Sequence, residues 1–350
     1  MKKIVILSAF LSPFRSGAEA CAEEVPLKLR DGYDFVIITA KMRSDLPKHD
    51  LLQGKIPVIR VGVGVGIIDK WLYPFLASHE AKNHNPDLIH AILETFAGLA
   101  LLKCGKTCPN AKRILTCQTT NRKFLKGPIV RSPDAVTAIS NHLADEVRKI
   151  GRDDVVVIPN GIDLFVFEEA RKKYAKVPGS VLFVGRLEKM KGVDVLLRAF
   201  ANVQTSSSTL TIVGEGSQRP ALKALRDELG LKDRVTFAGY IPHEELPMHY
   251  AKAQVFCGLS RSEALGNVFL EAQAAGCAVV ATNVGGIRDI VGSQHQIIES
   301  GDNEAATSAI QKALQQKVVL SDLSAFDWSP IAARYGKLYD IFLSRTSAAA

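Results

Sequence analysis

No stretch of this 350-residue chain approaches the roughly 20 consecutive apolar residues that a membrane-spanning helix needs, so any membrane contact is expected to be peripheral. The first apolar run, Ile4 to Leu7, is short and soon meets Pro13, Arg15 and Gly17, which suits a first β-strand better than a secretory signal, and a cytoplasmic protein is expected. The six cysteines, at 21, 104, 108, 117, 257 and 277, lack the paired spacing of a metal site and any secretory context for disulfides. Cys104, Cys108 and Cys117 could approach one ion, but free cysteine packs as a small hydrophobe, and no metal is assigned to them. No Asp-x-Asp pair appears at a strand end, which removes the usual carboxylate platform for a divalent cation.

Acidic residues are missing from a longer stretch. Between Leu99 and Pro133 there is no Asp or Glu, while Lys103, Lys106, Lys112, Arg113, Arg122, Lys123, Lys126 and Arg131 supply eight positive charges. That run fits an anionic headgroup or a phosphorylated acceptor, or else a solvated basic face. The net charge of +8 is spread evenly over the two halves, so neither is a basic tail, and no nucleic-acid-binding module is recognisable.

What is present is ordinary for a soluble enzyme: 47% hydrophobic and 23% charged residues, in a chain long enough for two domains. Short β-branched runs at 3–9, 35–39, 56–61, 87–91, 113–117, 135–139 and 155–158 alternate with helical stretches, and a second series follows at 180–184, 209–213, 234–238, 254–259 and 277–281. This alternation predicts an α/β protein with two Rossmann-like, doubly wound domains facing across a cleft, over 1–164 and 177–328. The junction is placed in the turn Ile158-Pro159-Asn160-Gly161 and the charged stretch after it, and a helix at about 330–345 is expected to cross back onto the first domain.

In such sheets ligands bind beyond the carboxyl ends of the strands. After the strand 180–184 comes Gly185-Arg186-Leu187-Glu188-Lys189-Met190-Lys191-Gly192, and two cations five residues apart suit a diphosphate, Arg186 as a fork and Lys191 as a point charge, unless this is only a basic surface loop. After the strand 254–259 comes Ser260-Arg261-Ser262-Glu263-Ala264-Leu265-Gly266-Asn267-Val268-Phe269-Leu270-Glu271-Ala272. Gly266 permits close backbone approach, a helix starting near Asn267 aims free N–H groups at phosphate, and Glu271, read as first-turn, could accept ribose hydroxyls. Taken alone, Glu263 is equally a solvated loop charge.

Together, Gly185-Arg186-Leu187 with Lys191-Gly192, the seven-residue separation from Glu263 to Glu271, and the later Gly276 and Gly285-Gly286 resemble glycosyltransferase family four, densely from about 155 to 291. The resemblance implies the GT-B fold, retention of anomeric configuration and no divalent metal or other cofactor. It implies that Arg186 and Lys191 bind the donor diphosphate, Glu271 the ribose and Glu263 the sugar, with backbone amides of Asn267 and Val268 assisting. Ser16-Gly17-Ala18-Glu19 resembles the family's glycine-rich loop, with one glycine where many members have two. Gln118 stands where the family commonly has a sugar-contacting histidine, and His90 matches another common position, although it could equally be a structural histidine. The implied partners are a UDP- or GDP-sugar and a glycan or lipid-linked acceptor. The alternatives are an epimerase or phosphorylase on the same fold, or a nucleotide-sugar-binding protein with impaired turnover.

On the acceptor side, Ile67 to Leu76 is apolar enough to line a groove or enter a bilayer interface, though packing into the core is the commoner use of such a helix. The preceding Gly62-x-Gly64-x-Gly66 has the wrong spacing for a dinucleotide fingerprint.

Overall fold

The computed structural model describes residues 1–14, 17–120, 125–204 and 207–344, and the chain divides into two compact units, 1–161 with 328–350 and 162–327. In the first stretch the strands are β1 (Lys2–Leu7), β2 (Tyr33–Ala40), β3 (His49–Leu52), β4 (Ile56–Val61), β5 (Leu88–Ile92), β6 (Lys112–Cys117), β7 (Ala135–Ala138) and β8 (Val156–Val157). The helices between them are α1 (Gly17–Leu29), α2 (Gly66–Asn83), α3 (Phe96–Thr107), α4 (Lys126–Arg131) and α5 (Asn141–Arg148). The sheet runs β3-β4-β2-β1-β5-β6-β7-β8, parallel apart from the β3–β4 hairpin. Chain order reverses between β1 and β5, so the loops after these two strands flank a crevice at the carboxyl edge.

The second unit contains α6 (Leu164–Lys173), β9 (Val177–Val184), α7 (Val193–Ala201), β10 (Thr209–Val213), α8 (Arg219–Glu228), β11 (Val235–Gly239), α9 (Leu246–Lys252), β12 (Ala253–Gly258), α10 (Asn267–Ala274), β13 (Ala278–Thr282), β14 (Gln296–Ile298) and α11 (Asn303–Gln315). Its sheet is parallel, ordered β11-β10-β9-β12-β13-β14, and the reversal lies between β9 and β12. The central strands are apolar on both faces because helices cover both: Val181, Leu182, Phe183, Val255, Phe256 and Cys257 are all buried.

The chain then returns to the first unit in α12 (Trp328–Ser344), which buries Trp328, Ile331, Tyr335, Leu338 and Tyr339 at helical spacing against the core of that unit. The Tyr33 hydroxyl donates to Asp340 Oδ1 (2.6 Å) and to the Gly336 carbonyl (3.1 Å), tying α12 to β2.

Three features differ from the sequence reading. The edge strands β3 and β14 were not anticipated, because they are short and contain no buried residue and so lack both alternation and a buried apolar run. The charged stretch read as a linker forms α6, whose Asp163 cap accepts the Val166 N–H and whose Phe167 is buried. His90, placed among sugar or acceptor contacts, is an interior residue of β5: it is fully buried, with Nδ1 at 2.7 Å from the Tyr339 hydroxyl and Nε2 at 2.7 Å from Thr116 Oγ1. With both ring nitrogens engaged inside the domain, it has none left for a ligand.

Burial lowers the His90 pKa from 6.5 to about 3, so the folded state holds it neutral. A group with a depressed folded pKa contributes full stability above its unfolded value, and that stability falls away as the pH drops from 6.5 toward 3. At pH 5 the loss is about 2 kcal/mol relative to pH 7.5, taking about 1.4 kcal/mol per unit. Chemical denaturation at the two pH values should show this drop, and His90→Gln should flatten it; an unchanged difference in the variant would assign the acid sensitivity elsewhere.

Candidate active site

In the second unit both motif loops leave neighbouring strands. β12 lies beside β9, with Val255 opposite Val181, so the loops that follow, 185–192 and 259–266, emerge side by side at the reversal point. They touch backbone to backbone. Gly192 has φ +66° and a Cβ there would lie 1.8 Å from the Leu259 carbonyl oxygen, while the Arg261 N–H donates to the Met190 carbonyl at 2.7 Å. Arg261 then forks onto Asp194 (2.8 and 2.7 Å) and donates to the Lys189 carbonyl. A third loop closes on the second: the Gly286 N–H donates to the Glu263 carbonyl, and a Cβ on Gly285 would lie 1.7 Å from that oxygen.

This packing brings together two predicted site residues distant in sequence. Lys191 Nζ lies 2.5 Å from Glu263 Oε2, which also accepts from Ser260 Oγ at 3.3 Å, and the two charged side chains are only 19% and 13% exposed. Glu263 is therefore not a solvated loop charge. Arg186 projects from the same 185–192 loop and is exposed.

Gly266, in the left-handed region at φ +93°, caps α10. The N–H groups of Asn267 and Val268 are among those that helical geometry leaves without an intrahelical acceptor. Glu271 is not in the first turn, as the sequence reading had it, but is the fifth residue of α10, largely buried. Its Oε2 accepts the hydroxyl of the buried Tyr250 at 2.8 Å, and its Oε1 lies 3.6 Å from His243 Nε2. Tyr250 orients the carboxylate, and the remaining oxygen is the one a hydroxyl ligand would meet. Tyr240, at the end of β11, stands 73% exposed.

The first unit gathers a different set at its own carboxyl edge. α1 opens at Gly17; Ser16, read with it, lies outside the described residues. The Gln118 side chain faces Asn160 rather than open space: Gln118 Nε2 donates to Asn160 Oδ1 (3.1 Å), Asn160 Nδ2 donates back to Gln118 Oε1 (2.7 Å) and also reaches the Gly17 carbonyl (3.2 Å). Gln118 is 7% exposed, and both ends of its carboxamide are paired with Asn160. Beneath it, the buried Glu94 carboxylate accepts the N–H groups of Gln118 (2.8 Å) and Thr119 (3.2 Å) and lies 3.7 Å from Lys126 Nζ. Burial pushes the Glu94 carboxyl up, against the pull of these donors. Arg122 and Lys123 of the basic run lie outside the described residues. Among the described residues no group of three His, Cys, Asp or Glu side chains could hold a metal ion.

Sequence reasoning missed Glu94, Asn160, Tyr250 and His243. None stands within a motif; only Asn160, inside the turn Pro159-Asn160-Gly161, was noticed, and there as turn chemistry.

Two parallel α/β domains of this kind are those of the GT-B fold. Residues 166–325 match the family described as "Glycosyl transferases group 1" and residues 22–165 that described as "Glycosyltransferase Family 4", and the chain belongs to this glycosyltransferase family. It is 30% identical to the glycogen synthase of Mycobacterium tuberculosis over 233 residues, 60% of this chain and 55% of that protein. It is 32% identical to the D-inositol 3-phosphate glycosyltransferase of Streptosporangium roseum over 280 residues, 69% of this chain and 64% of that one. The chain thus spans about half to under two thirds of the length of these curated relatives. Among solved structures, sucrose-phosphate synthase from Thermosynechococcus elongatus superposes with a TM-score of 0.83 at 21% identity over 100% of both chains, a likeness of fold.

The close approach at Gly192 yields a direct expectation. Gly192→Ala must move the 185–192 loop off Leu259 and adopt an unfavourable φ, which should destabilise the protein by more than about 2 kcal/mol in denaturant titration. Unchanged stability would mean that the two loops do not rest on each other.

Proposed function

We propose that the protein is a retaining, metal-independent glycosyltransferase that moves a hexose or N-acetylhexosamine from a UDP- or GDP-sugar to a glycan or lipid-linked acceptor in cell-envelope or glycolipid synthesis. The observation that carries this reading is the Lys191–Glu263 pair at the reversal point of the second sheet, flanked by Arg186 and the open amino end of α10, with the Tyr250-oriented Glu271 one turn further on. The relatives' names support the class: one is a glycogen synthase and another acts on an inositol phosphate, so members of this family differ in acceptor.

In the proposed reaction the acceptor hydroxyl oxygen forms a bond to the anomeric carbon on the face from which the nucleotide departs. The bond from that carbon to the diphosphate oxygen breaks, its electron pair stays with the nucleoside diphosphate, and the acceptor proton passes to a phosphate oxygen. No protein nucleophile is needed. Arg186 and Lys191 offset the charge that grows on the leaving diphosphate, the work a divalent cation does elsewhere, and the α10 amides add donors to it. Glu263 orients the sugar and holds Lys191 in place when the donor is absent. Glu271 accepts ribose hydroxyls.

Transfer measured with a panel of UDP- and GDP-sugars should persist in EDTA; complete loss on chelation would overturn the metal-free part. Lys191→Ala should lower kcat/KM about 10²- to 10³-fold, the usual effect of removing one donor to developing negative charge. Glu271→Gln should instead raise the donor KM, by about ten- to a hundredfold if a charge-assisted bond to ribose is weakened. If nucleotide diphosphates raise the melting temperature while no donor and acceptor pair gives product, the protein binds donors without transferring them.

A further inference from the structure

Helix α2 presents its large apolar side chains away from its own domain. Inward it buries Asp69, Tyr73, Pro74, Ala77, Ser78 and Ala81. Outward, Ile67, Ile68, Trp71, Leu72, Phe75 and Leu76 are between 38% and 74% exposed. Their spacing winds a continuous stripe of about three turns, a length of about 15 Å. This reverses the usual arrangement of a surface helix, whose outer face is polar, and it corrects the expectation that the segment packs into the core. The last turns revert to the ordinary pattern, with His79, Glu80 and Lys82 on the surface side and Glu80 next to His84 at 3.3 Å.

The turn before the helix extends the apolar surface. Val63 and Val65 are 60% and 50% exposed, and the fully buried Asp69 fixes them there: its carboxylate accepts the N–H groups of Met42, Val63, Gly64 and Val65 at 2.7 to 3.1 Å. Asp69 is the one acidic residue between Leu51 and His79, and its charge is directed into that turn, away from the stripe.

The surroundings of the stripe are cationic. Lys103 of α3 lies over the Phe75 ring, 3.9 Å from its centroid, and Lys70 lies 5.3 Å from the Phe10 ring. Lys106 is exposed in the last turn of α3, a helix without Asp or Glu, and Phe96 at its start sets its ring against Trp71 at 5.5 Å. An apolar centre with an aromatic at its middle and lysines around it, with the exposed Asp45 beside the Val63–Val65 turn paired to Arg43, matches the boundary of an anionic bilayer, where apolar groups enter beneath the headgroups and ammonium groups meet phosphate. A second copy of this face would bring like charges together, and a polynucleotide would leave the apolar stripe in water.

We propose that the outer face of α2, with Val63 and Val65, docks the first unit onto an anionic lipid surface. The proposal sharpens the lipid-linked acceptor reading but does not rest on the transfer chemistry.

The chain has two tryptophans, and Trp328 is buried at 3% exposure, so a change in emission on docking reports Trp71 at 69%. With full-length protein and no donor, vesicles of phosphatidylcholine with one-third phosphatidylglycerol should shift the emission to the blue and carry the protein down on sedimentation. Phosphatidylcholine alone or high salt should weaken binding at least tenfold. The double variant Trp71→Glu, Phe75→Glu should lose binding to anionic vesicles at least tenfold while its melting temperature and its turnover with a water-soluble acceptor stay unchanged. Absence of wild-type binding, or equal binding by the variant, overturns the proposal. So does a wild-type dimer that the substitutions dissociate without vesicles, which assigns the stripe to a second copy. Because binding is read without donor, an enzymatically silent protein bears on the proposed transferase function alone.

Discussion

The candidate donor site depends on one contact, the meeting of two backbones where Gly192 lies against the Leu259 carbonyl. Parallel pairing of β9 with β12 brings the two loops out together, but only a residue without a side chain lets the first settle onto the second. Once it does, the Met190 carbonyl and the Arg261 N–H, the Arg261–Asp194 fork and the Lys191–Glu263 pair follow as consequences of the same proximity. The ion pair does not hold the loops together by itself. Partly withdrawn from water, two charges lose hydration nearly in proportion to what their attraction returns, so its net contribution to stability is small. Its importance is positional. Glu263 keeps Lys191 extended at the reversal point, and under the proposed reaction an incoming diphosphate competes for a cation already in place, with little side-chain entropy left to lose.

The two units differ in how their polar residues are used. In the second, Arg186 is exposed and Glu271 keeps one oxygen toward a weakly placed His243. In the first, the polar groups at the carboxyl edge are directed at one another: Gln118 and Asn160 exchange hydrogen bonds, Asn160 reaches Gly17, and Glu94 gathers the N–H groups that follow β6. A histidine at position 118 could not reproduce the reciprocal amide pair, since an imidazole has one donor and one acceptor in fixed opposition where the carboxamide offers both on the same side. Gln118 is thus part of a brace joining the ends of β6 and β8 to the start of α1.

How much of this was legible in the sequence follows from which residues carry local signals. The long parallel strands were, because burial on both faces leaves dense β-branched runs such as Val279 and Val280 in β13 or Ile37 and Ile38 in β2. The edge strands were not, because His49–Leu52 shows three exposed residues of four and no alternation. The candidate donor-side residues could be picked out because each unbroken loop carries its own group. Their pairing was not, since nothing in the 72 residues separating Lys191 from Glu263 says that β9 and β12 are neighbours. His90 shows the reverse: its match to a common family position left a ligand contact and a structural role equally open, and its partners, Tyr339 and Thr116, which decide for the structural role, come from a helix near the end of the chain and from the next strand.

Helix α2 shows a third kind of limit. An apolar stripe has the same periodicity whether it faces a core or a solvent, so its direction is not written in the spacing. Here the direction follows from Asp69. A carboxylate that takes three backbone N–H groups of the turn before it and that of Met42 beyond β2 must lie on the inner side, and one helix turn on, Tyr73, whose hydroxyl reaches the Ile38 carbonyl, lies on that side too. With positions 69, 73 and 77 turned inward, positions 67, 71 and 75 have nowhere to go but out. A single buried charge thus decides that six large apolar residues face water, an arrangement whose cost in solubility is removed where something covers them.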